Sequence, residues 1–163
     1  MENSKLSEDY VEILEKMGGL LQVNCKIPVK DRTALAQVYT PGVGSCCKLI
    51  EKDFNKAYDL TNKKNSCLVV SDASEFSGCL EAVYPYLEAF CAFYKISTNV
   101  DAYPLIISKD DFTATVKAVM PAFSFVEFFG VKEENLKAFC SEGKFSFVDS
   151  NNKRKIDDML IKR

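Results

Sequence analysis

Histidine is absent from all 163 residues. That removes the commonest general base and the commonest zinc ligand together. Glycine and proline are sparse, at seven and five residues, and 47% of the chain is hydrophobic, so the composition is globular and not disordered. No apolar run is long enough to span a bilayer, and no membrane role is expected. The start, "MENSKLSEDYVEIL", is acidic and polar, unlike a secretory or mitochondrial presequence. A strong basic face is also missing. Net charge is −2 with Lys and Arg spread along the chain, so nucleic acid is not an expected partner. The short "KRK" at 153–155 reads as solvated helix surface.

Cysteine is present seven times, at Cys25, Cys46, Cys47, Cys67, Cys79, Cys91 and Cys140, with no CxxC pair. An odd number placed in apolar runs such as "CLVVS" and "FCAFY" points to buried free thiols in a reducing compartment. A cytoplasmic location is therefore expected.

The length suits one domain over 1–163, large enough to bury about 70% of its unfolded surface. Tyr10, Ile13, Leu14 and Met17 fall at helical spacing, and Gly18 and Gly19 stop that helix. "LLQVNCKIPV" reads as extended chain. "DRTALAQVY" leads into a turn at Pro41 and Gly42, and "CCKLIEKDF" is helical. "SCLVVSD" is a compact apolar run between polar residues, hence a buried strand. "GCLEAVYPYLEAFCAFYKI" is a helix carrying Leu80, Val83, Leu87, Phe90, Cys91 and Tyr94 on one broad face, and Pro85 either makes its first turns irregular or marks where it begins. "AYPLIIS" is a strand, followed by a helix that Ser108 and Asp111 open as an S-x-x-D capping box. "AFSFVEFF" is β-like. "KEENLKAFC" is a helix, "KFSFVD" a strand, and "NKRKIDDMLIKR" a final amphipathic helix. Strands alternating with helices predict an α/β fold, a layered sheet flanked by helices.

Few motifs carry chemistry by themselves. "GVGS" lacks the third glycine of a dinucleotide loop, since Cys47 stands there, and reads as a tight turn. Asp110 and Asp111 are adjacent, so on a helix they point about 100° apart, and capping accounts for them. Asp72 and Glu75 follow a strand, where ligands of α/β sheets gather, although carboxylates there are usually solvated loop residues. Tyr39 in "QVYTPGVGS" precedes a Thr-Pro-Gly turn that runs into a helix, and a phenol on such a turn is either aimed or simply caps it.

The stretch from Gly18 to Pro104 holds "KIPVKDR", "YTPGVG", "KAYDLTNKKN", "VVSD" and "DAYP" in order. With that set it closely resembles the N-terminal domain of malic enzymes, which oxidise and decarboxylate malate to pyruvate with NAD(P). The resemblance is strongest over 18–104 and weaker to 132. It implies that Tyr39 matches the tyrosine that protonates the enolate left by decarboxylation. It also implies that Asp72 and Asp101 line the cleft.

The departures weigh against activity. Aligned back from "DAYP", the family's E-G-K motif falls on Glu88, Ala89 and Phe90, so phenylalanine holds the place of the base lysine. Lys95 is five residues on, about 140° past a full turn, and cannot easily reach the same site. The family's Glu-Asp metal pair falls on Phe129 and Gly130, which offer no side-chain oxygen to Mg²⁺ or Mn²⁺. The glycine-rich segment after the "SDG" strand is replaced by "SDASEFSGCLEAVY", and the chain stops before a nucleotide-binding domain. The expectation is a catalytically inactive stand-alone domain acting as a binding or interaction module, with no metal, no cofactor and Tyr39 a relic packed in a filled cleft. The competing expectation is a component of a malic enzyme completed by a separate nucleotide-binding domain. The apolar N-terminal segment, Tyr10 to Val23, predicts a homodimer, with a full-length malic enzyme as the less favoured partner.

Overall fold

The computed structural model describes residues 2–76, 79–139, 145–148 and 154–155. The backbone gathers into two compact units. One comprises Met1–Leu21 with Ser66–Arg163, the other Gln22–Asn65.

The larger unit is built on a five-stranded sheet. Strands β1 (Ser66–Ser71), β2 (Asp101–Ile106), β3 (Phe125–Phe129), β4 (Phe145–Val148) and β5 (Arg154–Lys155) lie in the order β2-β1-β3-β4-β5. The first four run parallel, and β5 pairs antiparallel with β4. Strand β1 is buried along its whole length, as its unbroken apolar run predicts for a strand paired on both edges and covered on both faces. Cys67 and Val69 face helix α5 (Leu80–Thr98), in a core with Val83, Leu87, Cys91, Tyr94 and Phe129. Leu68 and Val70 face the other way. They pack with Val126, Phe128 and Phe139 against α6 (Phe112–Val119) and α7 (Glu133–Leu136).

Helix α1 (Glu2–Met17) belongs to this unit and ends at Gly18 and Gly19, both with positive φ, as the paired glycines predict. Gly19 also lies against the Glu88 carboxylate, which accepts the Leu20 N–H at 3.1 Å. Pro85 does not start α5. The helix begins five residues earlier and tolerates the proline in its second turn, losing only the bond to the Glu81 carbonyl.

Two expectations are corrected. Ser108 and Asp111 form no capping box. Asp111 has helical φ and ψ of −99° and −2° and its side chain caps nothing; a cap aims from the extended region. Its carboxylate instead accepts the Ser108 hydroxyl at 3.4 Å. Arg154 and Lys155 are not helical but pair with Val148 and Phe147, because an open sheet edge satisfies backbone groups that a local helical preference leaves to compete. The rest of the expected final helix, and Cys140, lie outside the described residues.

The smaller unit holds α2 (Arg32–Val38), α3 (Gly42–Lys52), α4 (Lys56–Leu60) and a 3₁₀ turn at Asn62–Asn65. "GVGS" is the first turn of α3 and not a separate tight turn. Asp31 caps α2, accepting the Ala34 N–H at 2.8 Å. Not one residue of this unit is buried.

Candidate functional site: the crevice between β1 and β3

From β1 the chain crosses over α5 to β2 on one side, then over α6 to β3 on the other. Strand order therefore reverses between β1 and β3. In open α/β sheets ligands bind outside the carboxyl ends of the strands at such a switch point. Here that crevice lies between the residues following Ser71 and those following Phe129.

Asp72 stands there, buried, with both carboxylate oxygens in use. Oδ1 accepts the Ser74 N–H at 2.9 Å, and Oδ2 accepts the Asn135 side-chain amide at 2.6 Å. The Lys132 N–H donates to Ser74 Oγ at 2.8 Å, and the Glu75 N–H donates to the Gly130 carbonyl at 3.1 Å. Three hydrogen bonds thus tie the loop after β1 across the crevice, two to the loop after β3 and one to α7. Ala73 is held at φ +56° between them.

Aromatic rings fill the space beside this clasp. Phe76 stacks on Tyr86 and on Phe129, each at 5.9 Å between centroids. Phe90 lies 5.3 Å from Phe129 and edge-on to Tyr94 at 5.4 Å. The Tyr94 hydroxyl donates to the fully buried carboxylate of Glu127. Burial, with a smaller contribution from the Glu88 charge, pushes the Cys91 thiol up to about 12, which keeps it protonated and unreactive at neutral pH.

Of the residues singled out from sequence, the fold brings Phe90 to Phe129 and Glu75 to Gly130, and parts Asp72 from Asp101. Asp101 opens β2 opposite Ser66, at the amino end of β1, whereas Asp72 follows its carboxyl end. Six residues of strand, roughly 20 Å, part them, so they do not line one cleft. Asp101 instead pairs with Lys95 at 2.6 Å. Tyr39 belongs to the smaller unit. Its backbone joins two helices: its N–H donates to the Leu35 carbonyl at 2.9 Å, and its carbonyl accepts the Val43 N–H at 2.8 Å. Tyr39 is 68% exposed where a packed side chain was expected, since it stands at a helix end in a unit with no buried residue.

Sequence reasoning overlooked Glu127, Phe76 and Asn135. The alternation of "FVEFF" already put Glu127 on the same face as Phe125 and Phe129. No local pattern marked the other two. A divalent ion, which the resemblance implies, does not fit the crevice. Phe129 and Gly130 supply no side-chain oxygen, the Gly130 carbonyl already accepts the Glu75 N–H, and the carboxylate of Asp72 is engaged on both oxygens.

A parallel α/β sheet with its crevice at the β1–β3 switch point defines the class of this molecule. Comparison with known proteins defines it further. No family model matches. The chain is 38% identical over 132 residues to an NAD-dependent malic enzyme of Geobacillus stearothermophilus, covering 77% of this chain and 27% of that protein. It is 32% identical over 140 residues to a bifunctional malic/malolactic enzyme of Bacillus subtilis, covering 82% and 33%. Among solved structures, the malic enzyme of Pyrococcus horikoshii matches with a TM-score of 0.70 at 29% identity, over 79% of this chain and 32% of that one. The Entamoeba histolytica malic enzyme shares the fold, with a TM-score of 0.76 at 16% identity, over 86% and 32%. The chain is a homologue of the malic enzymes, and the extent of the match fits their N-terminal domain. It spans about a third or less of the length of these curated relatives. No helix among the described residues is long and apolar enough to cross a membrane.

Proposed function

We propose that this is a malic-enzyme-like domain that does not itself carry out catalysis and serves as a binding or interaction module. One observation carries the reading. Phe90 and Phe129, at the positions where the resemblance puts the base lysine and a metal ligand, pack ring against ring at 5.3 Å. A packed aromatic pair leaves neither a proton acceptor nor an oxygen ligand there, and an exposed Tyr39 phenol by itself supplies little of the barrier reduction the reaction needs. The test is a malate assay with NAD or NADP and Mg²⁺ or Mn²⁺. No reduced-nucleotide absorbance is expected. Turnover abolished by Tyr39→Phe would overturn the reading, and turnover only after a relative's nucleotide-binding domain is added would favour the component reading instead.

The interaction surface proposed is the N-terminal helix, joining two copies. Tyr10, Ile13 and Met17 of α1 are exposed at helical spacing, a patch of the kind that marks interfaces. Leu21 is not part of it, because it packs against the α5 side of the core. Light scattering on the wild type should show a dimer, and on Ile13→Asp with Met17→Asp a monomer. A monomeric wild type at micromolar concentration would sink the dimer.

A further inference from the structure

We propose that Phe76, carried by residues 72–76 after β1, is an intramolecular plug that occupies the switch-point crevice in place of a ligand, with Gly130 kept bare because the Phe76 ring fills the space of its Cβ. The proposal rests on the reading of that crevice as a site no longer used for catalysis.

Two features at Gly130 lead to it. Its φ is +58°, a left-handed conformation that glycine adopts without strain. A Cβ built there would also run into the edge of the Phe76 ring. The first feature alone would still admit asparagine or, with strain, alanine. The second excludes any side chain while Phe76 is in place. Phe76 is held in turn by rings on two sides, Tyr86 from α5 and Phe129 from β3.

The loop that carries Phe76 is fastened before the ring is reached. Asp72 is tied to Asn135, Ser74 to the Lys132 N–H and the Glu75 N–H to the Gly130 carbonyl, so three successive anchors cross from one lip of the crevice to the other. Two of them use backbone groups of the β3 side. Phe76 packs against the α5 side of the core as well, while the bare Gly130 and the cross-tied loop stand at the carboxyl ends of two strands. Together these features place the chain's own side chain where the topology would seat a small molecule.

The test is a thermal double-mutant cycle with an added probe. Gly130→Ala should lower the Tm by roughly 5–10 °C in the wild-type background. In a Phe76→Ala background it should lower it by less than half as much, because the clash is gone and only the backbone strain remains. Phe76→Ala should also open an apolar cleft against Phe129, bounded by a Tyr86 that is 61% exposed, so benzene should raise the Tm of that variant and not of the wild type. If Phe76→Ala fails to fold, Phe76→Leu supplies the second background. Equal losses from Gly130→Ala in both backgrounds, or a truncated variant indifferent to benzene, would overturn the plug. Malate turnover by the wild type would instead overturn the non-catalytic reading while leaving the coupling between Phe76 and Gly130 measurable.

Discussion

The two units of this chain use apolar residues in opposite ways. In the larger, Cys67 to Val70 are at most 2% exposed, and two cores flank a sheet paired through five strands. In the smaller, Val23, Tyr39 and Phe54 are 92%, 68% and 81% exposed, and no residue is buried at all. Strand β1 shares its edges with two neighbours and its faces with helices, so every side chain finds a covering layer. The helices of the smaller unit are five to eleven residues long, too short to be stable without a surface to pack on. Within that unit none of them provides one.

This contrast can be broken most sharply at Phe128, a fully buried ring on the α6 side. Phe128→Ala should cost about 3–5 kcal/mol in urea melts. A loss below 1 kcal/mol would mean that the larger unit is as loosely packed as the smaller. Phe90→Lys comes next. The ring touches Phe129 and Tyr94, and a lysine loses both contacts and must reach water, at a cost on the order of 2–4 kcal/mol and with no gain of malate turnover. An unchanged Tm would show that the half-buried position lets the ammonium escape.

Alkaline pH probes the same core through Cys91. Its thiol is raised from 9.0 to about 12, so the protonated form favours the folded state. That contribution is complete below the unfolded value and is lost as pH climbs from 9.0 toward 12, at about 1.4 kcal/mol per pH unit. Urea melts at pH 8 and pH 10.5 should therefore fall further apart for the wild type than for Cys91→Ala. Parallel losses would mean that water reaches the thiol.

The smaller unit should respond weakly. Asp31→Ala removes the cap on α2 and should cost about 1 kcal/mol, seen as faster amide exchange over Arg32–Val38 with the sheet unaffected. Phe54, 81% exposed, should shift stability by no more than about 0.5 kcal/mol when changed to Ala. A larger loss would reveal a cover for it and bring the two units closer in character.

Much of the sheet was legible because its signals are local and redundant. "SCLVVS", "DAYPLI" and "FVEFF" carry β-branched and aromatic residues between polar boundaries, and each is a strand. The face of α5 holding Val83, Leu87, Cys91 and Tyr94 was equally plain from its period. The Ser108–Asp111 cap was misread because a capping pattern specifies residue types but not the backbone angle that aims them. Arg154 and Lys155 were misread because a strand edge 6 residues upstream in sequence, at Val148, outweighed a helical pattern.

By itself the sequence determined most of the strand and helix sites and the family resemblance. Those are properties of residue type and spacing, which one-dimensional patterns carry. Only the tertiary structure decided that Phe90 and Phe129 meet and that Asp72 and Asp101 stand at opposite ends of a sheet. It alone set Phe76 against Gly130. Each depends on strand order and on the end of a strand to which a residue belongs. Those are fixed when parallel strands choose neighbours through crossovers, and spacing along the chain does not record that choice.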